Sequence, residues 1–255
     1  MNLLPAFLIA FSMYSAIPMP KAEWSRENMK YTMCFFPLTG GIIGLLLGLW
    51  AAGSVRIPIG STLFAAVAVL IPVAVSGGIH LDGFCDTVDA LSSHQTTERK
   101  LEILKDSHTG AFAIIGCVLY LLLDFALWTE LKPSRSAILV LAVGFVLSRS
   151  LSGLSVVLFR CAKSSGLLAS FSDAAAKNRV RVTMIVYLLT CAAVMLCASP
   201  WLGAAALIVC ALMFLYYRAM SYRKFGGITG DLAGYFLQLC ELFLLMAVVI
   251  AQKIL

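Results

Sequence analysis

Seven stretches of nearly unbroken apolar residues run along the chain, at 35–53, 61–79, 110–128, 136–158, 182–199, 202–217 and 234–251. Each approaches the roughly 20 apolar residues that an α-helix needs to cross a bilayer. The sixth is the shortest. Residues 1–17 are apolar as well, but they carry Pro5 and end at Pro18 and Pro20. They lack the basic start and small-residue cleavage site of a signal peptide, so a re-entrant or interfacial helix is expected there. The pattern predicts an all-α fold: a polytopic integral membrane bundle of about seven transmembrane helices plus the N-terminal helix. No internal repeat or long linker divides residues 1–255, which read as one membrane domain.

Composition agrees. Apolar residues make up 61% of the chain and charged residues 13%, and a soluble fold of this length cannot bury that much apolar surface. The net charge of +6 does not point to nucleic acid, because the basic residues follow the membrane pattern. With the 80–109 segment placed in the cytoplasm, the inner segments hold fourteen lysines and arginines and the outer ones four. That is the bias of a multi-pass plasma-membrane protein whose polar loops face the cytoplasm. Arg149 is left inside the fourth crossing. The eight cysteines form no CxxC pair and read as small buried hydrophobes.

Chemistry gathers between Gly77 and Gly110. All three histidines lie there, with six of the thirteen acids. Asp82, Asp86 and Asp89 are spaced i, i+4, i+7, which on a helix places them within an arc of about 60°. Carboxylates that close repel one another unless a cation sits among them. Oxygen ligands suit Mg²⁺ or Mn²⁺, whereas zinc would favour histidine and cysteine at a spacing His80 and Cys85 do not offer. A solvated acidic helix start accounts for one or two of these acids, not three on one stripe.

Further on, Thr97 is an expected N-cap for a helix whose Glu102 and Asp106 lie at i, i+4. Lys105 and His108 are candidate phosphate ligands, and Asp106 a further metal ligand or a base. The alternative is an amphipathic surface helix. Gly226, Gly227, Thr229, Gly230 and Asp231 precede the last crossing, where backbone N–H groups and a helix start favour an anion. Asp231, Gly234, Gln238 and Glu241 continue as a polar stripe about 15 Å into the membrane. A buried Arg149 needs a partner, either substrate phosphate or Glu241. Acids for a metal beside basic and glycine-rich phosphate sites suggest phosphoryl transfer.

Several motifs resemble one family in order. They are Gly77-Gly78-Ile79-His80-Leu81-Asp82-Gly83, then Asp86-Thr87 and Asp89, then Leu101 to Ser107, then Gly226-Gly227-Ile228-Thr229-Gly230-Asp231 with Glu241. Phe11 to Pro20 fits as well. Together they resemble the cobalamin synthase family, CobS, the adenosylcobinamide-GDP ribazoletransferases. The resemblance covers essentially the whole chain. It implies Mg²⁺-dependent transfer of adenosylcobinamide-phosphate to α-ribazole or its 5′-phosphate, with release of GMP, at the cytoplasmic face. It implies a corrinoid nucleotide and α-ribazole as substrates, and other nucleotide-loop assembly enzymes as partners. Asp82, Asp86 and Asp89 take the family's metal-binding acids. His80, Lys105 and Asp106 take motif positions read as catalytic. Arg149, Gly226, Gly227, Thr229, Gly230, Asp231 and Glu241 are read as substrate-binding. Ala90 and His108 depart from the glycine and arginine expected in the pattern. Two other readings are a CDP-alcohol phosphotransferase, suggested by Asp86-Thr87-Val88-Asp89-Ala90, and an ion-coupled transporter using Asp82, Arg149 and Glu241.

Overall fold

The computed structural model describes residues 3–57, 59–106 and 108–254. Twelve helices form among the described residues: α1 Leu4–Tyr14, α2 Arg26–Met29, α3 Thr32–Arg56, α4 Ser61–Ser76, α5 Ile79–Ser92, α6 Thr97–Ile103, α7 Ala111–Glu130, α8 Arg135–Leu158, α9 Leu167–Ala174, α10 Lys177–Ala198, α11 Pro200–Phe225 and α12 Gly230–Ile254. Six of them, α3, α7, α8, α10, α11 and α12, are long and apolar enough to cross a membrane. The pair α4 and α5 passes the same test only together and is bent by 94°.

The bend has a local cause. Gly77 and Gly78 both adopt positive φ, 64° and 81°, a region open to glycine at no steric cost. They end α4 and send α5 off at a right angle. The predicted 61–79 crossing therefore stops at Ser76. Helices α4 and α5 form a bent pair rather than one straight span. The sixth crossing is longer than its apolar run suggests, because α11 continues through Arg218 to Phe225. The basic last turn of α11 stands where lysine and arginine suit a helix C-terminus.

Helices α8 and α12 form the centre, with most of their residues buried. On α7, residues such as Ile114, Leu119 and Leu122 are exposed, as a lipid-facing surface requires. Small residues set the closest approach. A Cβ on Gly40 or Gly44 of α3 would overlap the carbonyls of Phe145 and Ala142 on α8, so the spacing of four between two glycines lets these helices pack backbone to backbone. All eight cysteines are free.

Contacts sort the loops to two ends. At one end Ala16 N donates to Val75 O (2.8 Å), Ala176 N to Lys30 O (3.0 Å) and Ile228 N to Arg160 O (2.9 Å). At the other, Lys132 N donates to the Gln252 side chain (3.1 Å) and Lys253 pairs with Glu130. The loops near 80–109, 160–176 and 226–229 thus share one end, as their charge implied. Helix α1, at about 16 Å, is too short to cross. It docks at that same end, with Ile9 buried beside Met33, Phe171 and Met184.

Candidate active site

Two glycines bring the acids together. A Cβ on Gly83 would stand 2.9 Å from the Asp231 backbone, and one on Gly234 2.9 Å from His80 O. Helices α5 and α12 therefore cross with no side chain between them. That crossing sets the α5 stripe of Asp82, Asp86 and Asp89 beside Asp231 at the start of α12. Burial first, then the charges of Asp82, Asp231 and Asp89, push the Asp86 carboxyl up to about 6. The carboxylate of Asp89 also lies against Gly110, the N-cap of α7, where a helix start favours negative charge.

Among the described residues, no group of three His, Cys, Asp or Glu side chains closes into a ready metal shell. The donor set still suits a hard divalent cation. It is all carboxylate oxygen, and its mutual repulsion is registered at Asp86; a cation would relieve that repulsion.

Beside this crossing opens a cavity of about 300 Å³. Its inner wall includes Met33, Phe36, Val156, Phe171 and Leu237, all buried. Its charged lining residues are Asp82 and Lys105, both exposed, and Lys163 and Asp231, both half-buried. His80 lines the same cavity. Its ring stacks on Tyr14 at 6.3 Å and meets the Phe36 ring edge-on at 6.0 Å. The Nε2 atom of His80 is buried with no hydrogen-bond partner. Burial, then the positive charge of Arg149, holds its imidazole well below the ordinary histidine range, so it is neutral at pH 7.

Lys163 is a cavity residue that the sequence pattern did not single out. Its Nζ donates to Leu101 O at 2.7 Å, which ties the 160–166 loop to α6. Burial, then the charge of Lys105, lowers its pKa from the usual lysine value. The two ammonium groups thus stand close enough to share one anion. Only the polar character of residues 160–181, on the same side as the acids, pointed this way.

The remaining candidates fall into place differently. Thr229 Oγ1 accepts from Leu232 N at 3.2 Å and so caps α12, and Thr229, Gly230 and Asp231 all line the cavity. Gly226 and Gly227 do not line it. Gly226 ends α11 with φ 75°, and a Cβ on Gly227 would strike the backbone of residues 160–162. Their role is to seat the loop. The N-cap of α6 is Thr96, not Thr97, accepting from Arg99 N at 3.4 Å. Glu102 pairs with Arg99 at 2.7 Å. Helix α6 ends at Ile103, so Asp106 lies beyond it and is not on a face with Glu102. Asp106 is exposed and bonds His108 Nδ1 at 2.7 Å. Ser107 lies outside the described residues.

Arg149 and Glu241 pair with each other. Nη1 of Arg149 stands 2.6 Å from Glu241 Oε1, with the Arg149 side chain buried and that of Glu241 largely so. Ser148 Oγ donates to the same carboxylate at 2.7 Å. Neither residue lines the large cavity. The polar stripe of α12 therefore divides. Asp231 and Gly234 serve the cavity. Gln238, which accepts from Tyr120 Oη, and Glu241 are bound within the bundle.

The fold and site define a polytopic helical membrane protein with an acid- and lysine-rimmed cavity at one end, an arrangement suited to holding phosphate groups. The chain matches the model of the family described as Cobalamin-5-phosphate synthase, CobS, over residues 6–249. It belongs to that family. It is 48% identical to the adenosylcobinamide-GDP ribazoletransferase of Lachnoclostridium phytofermentans, over 100% of this chain and 97% of the relative. The protein of the same name from Clostridium perfringens strain SM101 is 35% identical over 92% of this chain and 94% of its own length. That of Pseudomonas savastanoi pv. phaseolicola is 34% identical over 94% and 97%. No solved structure gives a significant match.

Proposed function

We propose that this chain joins the two halves of a cobalamin. It transfers adenosylcobinamide-phosphate from adenosylcobinamide-GDP to α-ribazole or α-ribazole 5′-phosphate and releases GMP. Full-length similarity to ribazoletransferases supports the step. The observation that carries the chemistry is that Asp82, Asp231, Lys105 and Lys163 line one cavity. Family membership favours this step over the phospholipid-synthesis and transporter readings.

In the reaction a ribose hydroxyl of the acceptor attacks the cobinamide-side phosphorus. A new P–O bond forms, the bond to the GMP phosphate breaks, and the hydroxyl proton leaves. Lys105 and Lys163 hold the diphosphate by charge-assisted hydrogen bonds. His80, neutral and with its buried Nε2 unpartnered, accepts the hydroxyl hydrogen bond and takes the proton as the P–O bond forms. Asp82, Asp86 and Asp89 are the residues that would hold Mg²⁺, or Mn²⁺ in its place. Such a cation offsets the charge on the phosphate oxygens. The mouth faces the cytoplasm, in keeping with the lysine and arginine bias.

Membranes enriched in the protein, given adenosylcobinamide-GDP, α-ribazole and Mg²⁺, should yield adenosylcobalamin and GMP, and EDTA should stop both. Turnover that survives EDTA would remove the metal. Failure to release GMP with either acceptor would remove the transfer.

A further inference from the structure

Just past the end of α8, and in the last turns of α11, stand two arginines that the reaction above leaves unused. Arg160 and Arg218 are both exposed, and neither lines the large cavity. Their guanidiniums gather on one ring. That of Arg160 lies 5.4 Å from the centre of the Tyr222 ring and that of Arg218 5.8 Å. Arg218 also lies 5.8 Å from the Phe159 ring, which stacks on Phe214 at 5.0 Å. Arg160 is fixed further. Its Nε donates to Gly226 O at 3.0 Å and its backbone N–H to Tyr222 Oη at 2.7 Å. Like charges gathered in this way repel unless an anion joins them. Among the described residues neither guanidinium pairs with a carboxylate. Beside them Leu158, Leu212, Leu215 and Tyr216 are exposed, as a lipid-facing surface requires. The two arginines and their aromatic rings thus stand where the apolar core of a bilayer gives way to headgroups.

We propose that Arg160 and Arg218, braced on Tyr222, bind the phosphate of an anionic phospholipid whose chains lie along Leu158, Leu212 and Leu215. The inference goes beyond the transfer reading and does not rest on it. A guanidinium offers paired N–H donors that match phosphate oxygens. Arg160 spends its Nε on Gly226 O and keeps its two terminal nitrogens for a ligand. A zwitterionic headgroup brings its own ammonium up to both arginines, so a headgroup of net negative charge is preferred. The exposed leucines favour a lipid over a soluble anion, because free phosphate would engage the guanidiniums and leave that apolar surface uncovered. Arg223 and Lys224 lie on the next turn and are exposed as well. Among the described residues no ring holds their side chains, so they add charge without a built site.

The test uses the intact protein in a mild detergent, titrated with phosphatidylglycerol or phosphatidylcholine of matched chains and read by native mass spectrometry. A single phosphatidylglycerol should be held about tenfold or more tightly than phosphatidylcholine, and millimolar inorganic phosphate should not displace it. Equal retention of the two lipids by the wild type would overturn the proposal with no variant needed. Displacement by inorganic phosphate would overturn it too, in favour of a site for a free anion. Arg160→Gln with Arg218→Gln should abolish the preference. Arg218→Gln alone breaks ring contacts and no hydrogen bond, so the fold is kept, and it should already weaken phosphatidylglycerol about fivefold. Arg223→Gln with Lys224→Gln removes as much charge from the same end and should keep most of the preference. If that pair costs as much as the Arg160 and Arg218 pair, the lipid is held by general surface charge and the assigned site is wrong.

Discussion

Two charged clusters sit some turns apart in this bundle and are built on opposite plans. At Arg149–Glu241 every charge is answered from within the protein. The guanidinium meets the carboxylate at 2.6 Å, Ser148 adds a second donor, the Arg149 side chain is buried and that of Glu241 largely so. At the α5–α12 crossing four aspartates share one region, and two of them, Asp82 and Asp231, line one cavity with Lys105 and Lys163. The first cluster closes its ion pair without a ligand, and leaves only Nε of Arg149 unpartnered within it. The second is left in mutual repulsion, which is how a protein keeps a place for something positive. Buried charge in a membrane protein thus has two meanings, and what separates them here is whether partners are supplied by the chain.

The sharpest way to break the comparison is to remove charge from each cluster. Asp82→Asn should cost at least about a thousandfold in turnover, the scale of losing an electrostatic element of catalysis. It should leave the metal-free protein as stable as wild type or more so, since a repulsion is relieved. A thermal melt in detergent alongside the activity assay checks both halves. Full activity in this variant would end the case for the acidic stripe. Arg149→Ala should do the reverse. Stranding Glu241 in the bundle should destabilise by about 3–5 kcal/mol, while the double replacement Arg149→Met with Glu241→Met should recover most of that loss and much of the activity. If the double variant stays folded but inactive, Arg149 does more than pair.

Much of this was legible in the sequence. The crossings follow hydropathy, and the helices α3, α7, α8, α10 and α12 begin and end within a few residues of their apolar runs. Lysine and arginine put the reactive loops at one end. Geometry that depends on two helices meeting was not legible. The right angle between α4 and α5 turns on two positive-φ glycines, which a hydropathy window passes over. Arg149 had two candidate partners, because the register of α8 against α12 is set by packing. Lys163 sits in a loop without regular structure, and its bond to Leu101 helps fix where its charge goes. The interior of the cavity draws on α1, α3, α8, α9 and α12, so no single stretch of sequence announces it.

The acidic cluster depends on close backbone approach, so it should also break without any loss of charge. Gly83→Ala places a methyl 2.9 Å from the backbone of Asp231, where no flexible side chain can yield. Overpacking of this kind costs about 1–3 kcal/mol and should move α5 off α12. Turnover should fall about a hundredfold or more, because positional errors near 1 Å are that expensive. Gly41→Ala, where a Cβ meets nothing within 4 Å, is the control and should change neither melt nor rate.

The smallest effect sharpens the comparison from the cationic side. Lys163→Ala removes one of two ammonium groups that share the rim, and the KM for adenosylcobinamide-GDP should rise about tenfold, the worth of one charge-assisted hydrogen bond. Lys163→Arg should restore most of it. A pH series then separates charge from shape. Burial and the neighbouring Lys105 lower the pKa of Lys163 from the usual lysine value, so on raising pH it loses its proton before an ordinary lysine would. Donor KM in the wild type should therefore climb on the alkaline side at a pH below that value, while the Lys163→Arg protein, whose guanidinium stays charged, should hold its KM through the same range. Coincident alkaline limbs in the two proteins would mean that Lys163 acts by tying α6 to the loop through Leu101, and that Lys105 alone meets the phosphate.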